Sequence, residues 1–140
     1  MQVPSRARAV IIGGGVVGCS IAYHLGKLGW RDVVLLERKQ LTCGTTWHAA
    51  GLIAQLRATQ NMTRLAKYSQ ELYFGLEAET GVATGFKRNG SITVALTDER
   101  MEELRRSAAM ARAFGVEIDE ITPGDIASRY PGLMTGDAVG

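Results

Sequence analysis

Apolar and polar positions in the first forty residues fall into three blocks. Arg8-Ala9-Val10-Ile11-Ile12 is short, apolar and rich in β-branched residues, which predicts a buried strand. Beyond a glycine cluster, Val17, Ile21, Leu25 and Leu28 recur at spacings of four, four and three, one face of a helix. Gly29 sits where a helix-terminating glycine belongs. Asp32-Val33-Val34-Leu35-Leu36-Glu37 then predicts a second buried strand that ends in an acid. The three blocks together make a β-turn-α-β unit.

Further along, Met62, Leu65, Ser69, Leu72 and Leu76 follow helical spacing, which predicts an amphipathic helix over about Asn61 to Glu79, ended by Gly81. Asn89-Gly90 signals a tight turn. The alternation in Ser91-Ile92-Thr93-Val94-Ala95-Leu96 predicts a strand with Ile92, Val94 and Leu96 on one face. Thr97 should cap a helix with Asp98 and Glu99 in its first turn, running to about Phe114 before Gly115. A short strand is expected at Val116-Glu117-Ile118. A brief helix is expected from Thr122-Pro123-Gly124-Asp125 to Tyr130-Pro131-Gly132. The βαβ pattern stops at about residue 84, which divides the chain into 1–83 and 84–140 with no Pro/Ser linker between them.

Composition narrows the class. The chain has 140 residues, of which 46% are hydrophobic and 21% charged, enough to bury a core and too apolar for disorder. A net charge of +2 is too mild to argue for nucleic acid or an anionic membrane as partner. Strongly apolar runs such as Ala9 to Ile12 fall far short of the roughly 20 residues of a membrane span. Cys19 and Cys43 make neither a disulfide framework nor a zinc-like spacing, so no metal is expected and a reducing compartment is the default. Met1 to Ala9 has no apolar segment of the secretory type. Seventeen glycines, about 12% of the chain against roughly 7% on average, are the one unusual figure.

Their placement carries chemistry. Gly13-Gly14-Gly15-Val16-Val17-Gly18 is a G-x-G-x-x-G run between the first strand and the first helix. Gly13 permits the tight turn, Gly15 lets a pyrophosphate approach the backbone, and Gly18 lets the helix pack on the strand. The helix N-terminus then offers N–H groups to the phosphates. Glu37, 19 residues past Gly18, can accept hydrogen bonds from ribose hydroxyls, and it argues against the 2′-phosphate of NADP. The motif alone is weak; the flanking strands, helix and acid strengthen it. The competing account is a glycine-rich turn in another α/β domain, with Glu37 a solvated strand end.

NAD and FAD both fit to this point. The next stretch, Arg38-Lys39-Gln40-Leu41-Thr42-Cys43-Gly44-Thr45-Thr46-Trp47-His48-Ala49-Ala50-Gly51-Leu52, combines small residues with two hydrogen-bonding threonines and a Trp-His pair. An NAD domain would continue instead with a polar turn and a plain amphipathic helix. With the glycine run and Val34-Leu35-Leu36-Glu37-Arg38, this stretch resembles the start of the sarcosine/dimethylglycine dehydrogenase family. These are FAD-dependent amine dehydrogenases of the D-amino-acid-oxidase-like superfamily. Gln55-Leu56-Arg57, Glu79-Thr80-Gly81, Gly85 and Asn89-Gly90 lean the resemblance towards sarcosine dehydrogenase, and it runs along essentially all of the chain.

The resemblance implies an α/β class: the N-terminal βαβ part of a Rossmann-like FAD-binding domain, running into the start of an α+β substrate domain. It places FAD against Gly13, Gly15, Val16, Val17, Gly18, Glu37 and Arg38, and against Gly44, Thr45, Thr46, Trp47, His48, Ala49, Ala50, Gly51 and Leu52. By match, His48 carries FAD through a covalent bond to the flavin 8α carbon, a role open to a neutral imidazole nitrogen as nucleophile. The residues alone leave a second account of His48, a hydrogen bond within its loop. Trp47 is expected to pack beside the flavin or its loop, Cys19 to be a small buried hydrophobe, and His24 to be a surface or packing residue. Cys43 is assigned no chemistry, and Arg57, Arg64 and Lys67 read as a solvated face.

The activity implied is oxidative N-demethylation of sarcosine or dimethylglycine. Electrons would go to an electron-transfer flavoprotein or oxygen, with tetrahydrofolate as a one-carbon acceptor in a further region. The chain reads as an N-terminal fragment of a longer protein, with substrate residues beyond residue 140, so no catalytic residue is assigned within it. A bacterial cytoplasm fits, or a mitochondrial matrix if a transit peptide precedes this sequence. The competitors are a non-covalent FAD amine oxidase using oxygen, a non-enzymatic regulatory subunit with the same fold, and, more distantly, an NAD dehydrogenase.

Overall fold

The computed structural model describes residues 4–140. The chain forms two compact units, one ending at Leu52 and the other spanning Ile53–Gly140.

In the first unit, strand β1 (Ala9–Ile12) leads through the glycine run into helix α1 (Val16–Lys27), which returns to strand β2 (Val33–Leu36). The strands pair in parallel, from Ala9 opposite Val33 to Ile12 opposite Leu36. A helical crossover is the connection that a parallel pair requires. Past Leu28, the Gly29 N–H donates to Gly26 O (3.0 Å) and the Trp30 N–H to Leu25 O (2.9 Å), a Schellman closure. The Arg8 guanidinium lies over the Trp30 ring, 3.8 Å from its centroid. Side chains alternate across β1. Ile11 is buried towards α1, while Val10 and Ile12 are 55% and 87% exposed. The expected strand is thus present, but among the described residues only its Ile11 face is covered.

The second unit is helical. Helix α2 (Gln60–Thr80) is capped by Thr59, whose hydroxyl accepts from the Met62 N–H, and closes at Gly81. Helix α3 (Asp98–Ala113) is capped by Thr97, which accepts from the Arg100 N–H. Helix α4 (Pro123–Arg129) starts with a capping box: the Asp125 N–H donates to Thr122 Oγ1, and the Thr122 N–H donates to the Asp125 carboxylate. Ala95, Met101, Ala108, Ala111, Val116 and Ile126 form its core. Thr63 is fully buried in α2, and its hydroxyl both accepts from the Arg57 N–H and donates to the Arg57 carbonyl.

Two expected strands do not form. Within 91–96 only Ala95 exchanges backbone hydrogen bonds, donating to Gly140 O and accepting from the Val139 N–H, both at 2.8 Å, and no ladder extends from that pair. Alternation marks a face that packs; it does not supply a neighbouring row of donors and acceptors. Residues 116–118 are also not a strand. The Gly115 N–H donates to Arg112 O and the Val116 N–H to Ala111 O, so Val116 is the apolar residue that closes the C-terminus of α3. Gly115 makes that closure at φ +70, and Lys67 Nζ donates to its carbonyl. Lys67 therefore belongs to the packing of this unit rather than to a purely solvated face.

Replacing Gly115 by Ala is expected to cost about 1–2 kcal/mol, the penalty of a Cβ in the left-handed region. The midpoint of urea unfolding should fall accordingly; an unchanged midpoint would contradict the assigned closure.

Candidate functional site

Every candidate residue named from the sequence lies in the first unit, and the glycine run is its centre. Gly13 leaves β1 at φ +102 and donates its N–H to Leu36 O (2.8 Å). Gly14 is buried. Its N–H donates to Glu37 Oε2 (2.7 Å), and its carbonyl accepts from the Thr42 N–H (2.8 Å) and Cys19 Sγ (3.4 Å). Gly15 is the N-cap of α1 and has no side chain to cap it. The Thr46 hydroxyl does so from thirty residues on, accepting from the Val16 N–H at 2.9 Å. Gly18 faces the strand: a Cβ there would stand 1.9 Å from Gly13 O and 3.3 Å from Ile11 Cγ2.

These contacts separate two kinds of glycine. Gly18 is required by the protein's own packing, while a Cβ at Gly14 would press on side chains, the exposed end of Leu41 at 2.5 Å and Glu37 Cβ at 3.1 Å. At Gly15 such a Cβ would meet Thr46 Oγ1 tightly at 3.1 Å but no other described atom within 4 Å, so away from Thr46 the backbone is open to an approaching ligand. The N–H groups of Gly15 and Val17 have no hydrogen-bond partner among the described residues. They lie at the positive end of α1, the arrangement that binds phosphate oxygens.

Glu37 is fixed at the end of β2. Besides the Gly14 N–H on Oε2, its Oε1 accepts the Lys39 N–H at 2.9 Å. The Gly14 N–H, then the Lys39 N–H, hold this carboxyl below the usual carboxylate range, with the Arg38 backbone and charge adding to them. Each oxygen keeps a lone pair for a ribose hydroxyl.

Residues Thr45–His48 form one 3₁₀ turn, with the Trp47 N–H donating to Gly44 O (3.1 Å) and the Ala49 N–H to Thr46 O (3.2 Å). Thr46 is half-buried against α1. Arg38, Gly44, Thr45, Trp47 and His48 are exposed, as are Val16 and Val17. Trp47 is 78% exposed, so it does not pack against its own loop. Ala49, Ala50, Gly51 and Leu52 continue as an exposed stretch. Cys19 is half-buried and Cys43 exposed. His24 Nδ1 lies 2.6 Å from the Ser20 carbonyl within α1, away from this site. The structure thus gathers Gly13, Gly15, Val16, Val17, Gly18, Glu37 and Thr46, and sets Trp47 and His48 on the open side of the turn. Sequence reasoning passed over Gly14, Leu41 and Thr42, because their importance lies in contacts between distant segments; the only local signal was the third consecutive glycine.

Free N–H groups at a helix N-terminus, a surface open at Gly15 and an anchored carboxylate fit the adenosine diphosphate half that FAD and NAD share, and define a dinucleotide-binding βαβ unit. The chain belongs to the FAD dependent oxidoreductase family, whose model matches residues 8–140. It is 41% identical over 140 residues to the mitochondrial pyruvate dehydrogenase phosphatase regulatory subunit of Mus musculus, and 41% over 139 residues to that organism's mitochondrial sarcosine dehydrogenase. It is 46% identical over 134 residues to the mitochondrial dimethylglycine dehydrogenase of Rattus norvegicus. These matches cover 100%, 99% and 96% of the chain but only 16%, 15% and 16% of the relatives. Among solved structures, L-proline dehydrogenase from P. horikoshii superposes with a TM-score of 0.88 at 29% identity, over 97% of this chain and 36% of that one.

Two outcomes follow. Gly18→Ala should abolish dinucleotide binding and lower stability, because the new Cβ would meet a backbone oxygen at 1.9 Å rather than a side chain that can turn away; unchanged flavin content in the purified variant would contradict this. Glu37 has a lowered folded pKa, so the stabilisation its charge gives the loop is complete above the usual glutamate range and is lost as pH falls through the lowered value. Unfolding curves of the wild type and Glu37→Gln should therefore begin to approach one another as pH falls through the ordinary glutamate range and converge fully only below it. Full convergence within that range would contradict the assigned hydrogen bonds.

Proposed function

We propose that this chain supplies the dinucleotide-binding part of an FAD-dependent amine dehydrogenase that oxidatively N-demethylates sarcosine or dimethylglycine. The observation that carries the reading is the Thr45–His48 turn fastened by Thr46 to the N-terminus of α1, with Trp47 and His48 left exposed beside it. The names of the sarcosine and dimethylglycine dehydrogenase relatives supply the substrate class.

In this reading the N–H groups of Gly15 and Val17 bind the pyrophosphate, and Glu37 binds the ribose. Gly13 and Gly18 give the loop its shape. Arg38, Val16, Gly44, Thr45 and the Ala49–Leu52 stretch line the path of the cofactor. His48 would offer its imidazole nitrogen to the flavin 8α carbon, and Trp47 would pack beside the flavin. Bound there, FAD would supply the hydride acceptor for oxidation of the substrate's N-methyl group, whose one-carbon unit would leave as formaldehyde or pass to tetrahydrofolate. The electron acceptor is an electron-transfer flavoprotein or oxygen. Residues 84–140 begin the substrate domain. The compartment is a bacterial cytoplasm or a mitochondrial matrix.

The mouse regulatory subunit, similar over the whole chain, favours a second reading: a non-enzymatic subunit that keeps this fold. Acid denaturation and digestion of the full-length protein separates the two. The dehydrogenase reading predicts a flavin mass on the peptide containing His48, and its loss in His48→Ala. FAD released free into the acid supernatant would overturn covalent attachment and favour a non-covalent oxidase. Protein purified with no flavin at all would favour the regulatory reading.

A further inference from the structure

Besides the Glu37 carboxylate on the Gly14 N–H, three contacts fasten the segment after β2 to the glycine run, and none of them involves a group expected to react. Thr46 Oγ1 accepts from the Val16 N–H at 2.9 Å. The Thr42 N–H donates to Gly14 O at 2.8 Å. Leu41 Cδ2 lies 2.5 Å from where a Cβ of Gly14 would stand, so the two segments meet without a gap. Thr42 holds φ +63, the one positive φ outside glycine among the described residues. A β-branched residue resists that region and stays there only where its surroundings determine it. The segment is therefore drawn into place by long-range contacts.

We propose that Thr46 is a positioning residue for FAD: its hydroxyl caps α1 from outside and makes the helix N-terminus and the Thr45–His48 turn one preformed surface. The pyrophosphate and the flavin end of the cofactor then meet groups already at a fixed separation, so less ordering remains to be done on binding. The hydroxyl oxygen accepts from Val16 and its own hydrogen stays free to donate, so the cap does not compete with a ligand. This inference rests on the FAD site proposed above.

The test uses the full-length protein carrying His48→Ala, which removes any covalent link and makes FAD binding an equilibrium. Adding Thr46→Val should raise the FAD Kd roughly five- to tenfold, the factor that loss of a helix cap corresponds to. Adding Thr46→Ser instead should leave it within about twofold, since the acceptor is kept. Amide exchange without FAD distinguishes positioning from mere ligand contact: Thr46→Val should speed exchange at Val16, Trp47 and Ala49, and Thr46→Ser should not. An unchanged Kd, or unchanged exchange in FAD-free protein, would overturn the proposal while leaving the FAD site intact. Failure of the His48→Ala protein itself to bind FAD would overturn the site and this inference together. Should Thr46→Val not fold, fast exchange of the Val16 amide in the unsubstituted FAD-free protein would overturn the proposal, and slow exchange would support it.

Discussion

The architecture of the first unit depends on one close approach: α1 lies against the end of β1 because residue 18 has no Cβ. A methyl group there would stand 1.9 Å from the Gly13 carbonyl oxygen, well inside any tolerable contact. With that approach in place, the N-terminus of α1 points past Gly15, and Ile11 is covered. The remaining site contacts are built around the same turn. Glu37 grips the Gly14 N–H, Thr42 grips the Gly14 carbonyl, and Thr46 caps Val16. Both backbone polar groups of Gly14, its N–H and its carbonyl, are thereby held by residues of the segment that follows β2.

This arrangement assigns separate tasks to groups that a motif reading treats alike. The glycine at 18 serves internal packing, while Gly15 keeps a face open. Glu37 has a structural bond on each carboxylate oxygen and still retains acceptor capacity. It therefore fixes the glycine loop while keeping a negative charge at the end of β2. An acid at this position of a dinucleotide fold disfavours a 2′-phosphate, and the family to which the chain belongs uses FAD.

The sequence disclosed most where the governing interactions are local. Helices α1 to α4 were legible from apolar spacing, from the Thr97 cap and the Thr122-Pro123 start and from the glycines that close them, because helical hydrogen bonds join near neighbours; the Thr59 cap of α2 was not read. The β1–glycine–α1–β2 order was legible for the same reason. The 91–96 and 116–118 strands were misread because pairing depends on a distant partner; Val116 instead closes a helix end. At the site, the glycine run, Glu37 and the threonine-rich stretch were visible as residue types. That Thr46 caps a helix thirty residues earlier, and that Thr42 adopts φ +63 to reach Gly14, depends on chain folding that no local pattern records.

The central claim, that this turn and helix end hold the pyrophosphate of FAD, is tested most directly by a crystal structure of the full-length protein with FAD. The account predicts pyrophosphate oxygens within about 2.7–3.2 Å of the Gly15 and Val17 nitrogens, with a ribose hydroxyl on Glu37. A dinucleotide whose phosphates lie away from the N-terminus of α1, or whose ribose avoids Glu37, would contradict it.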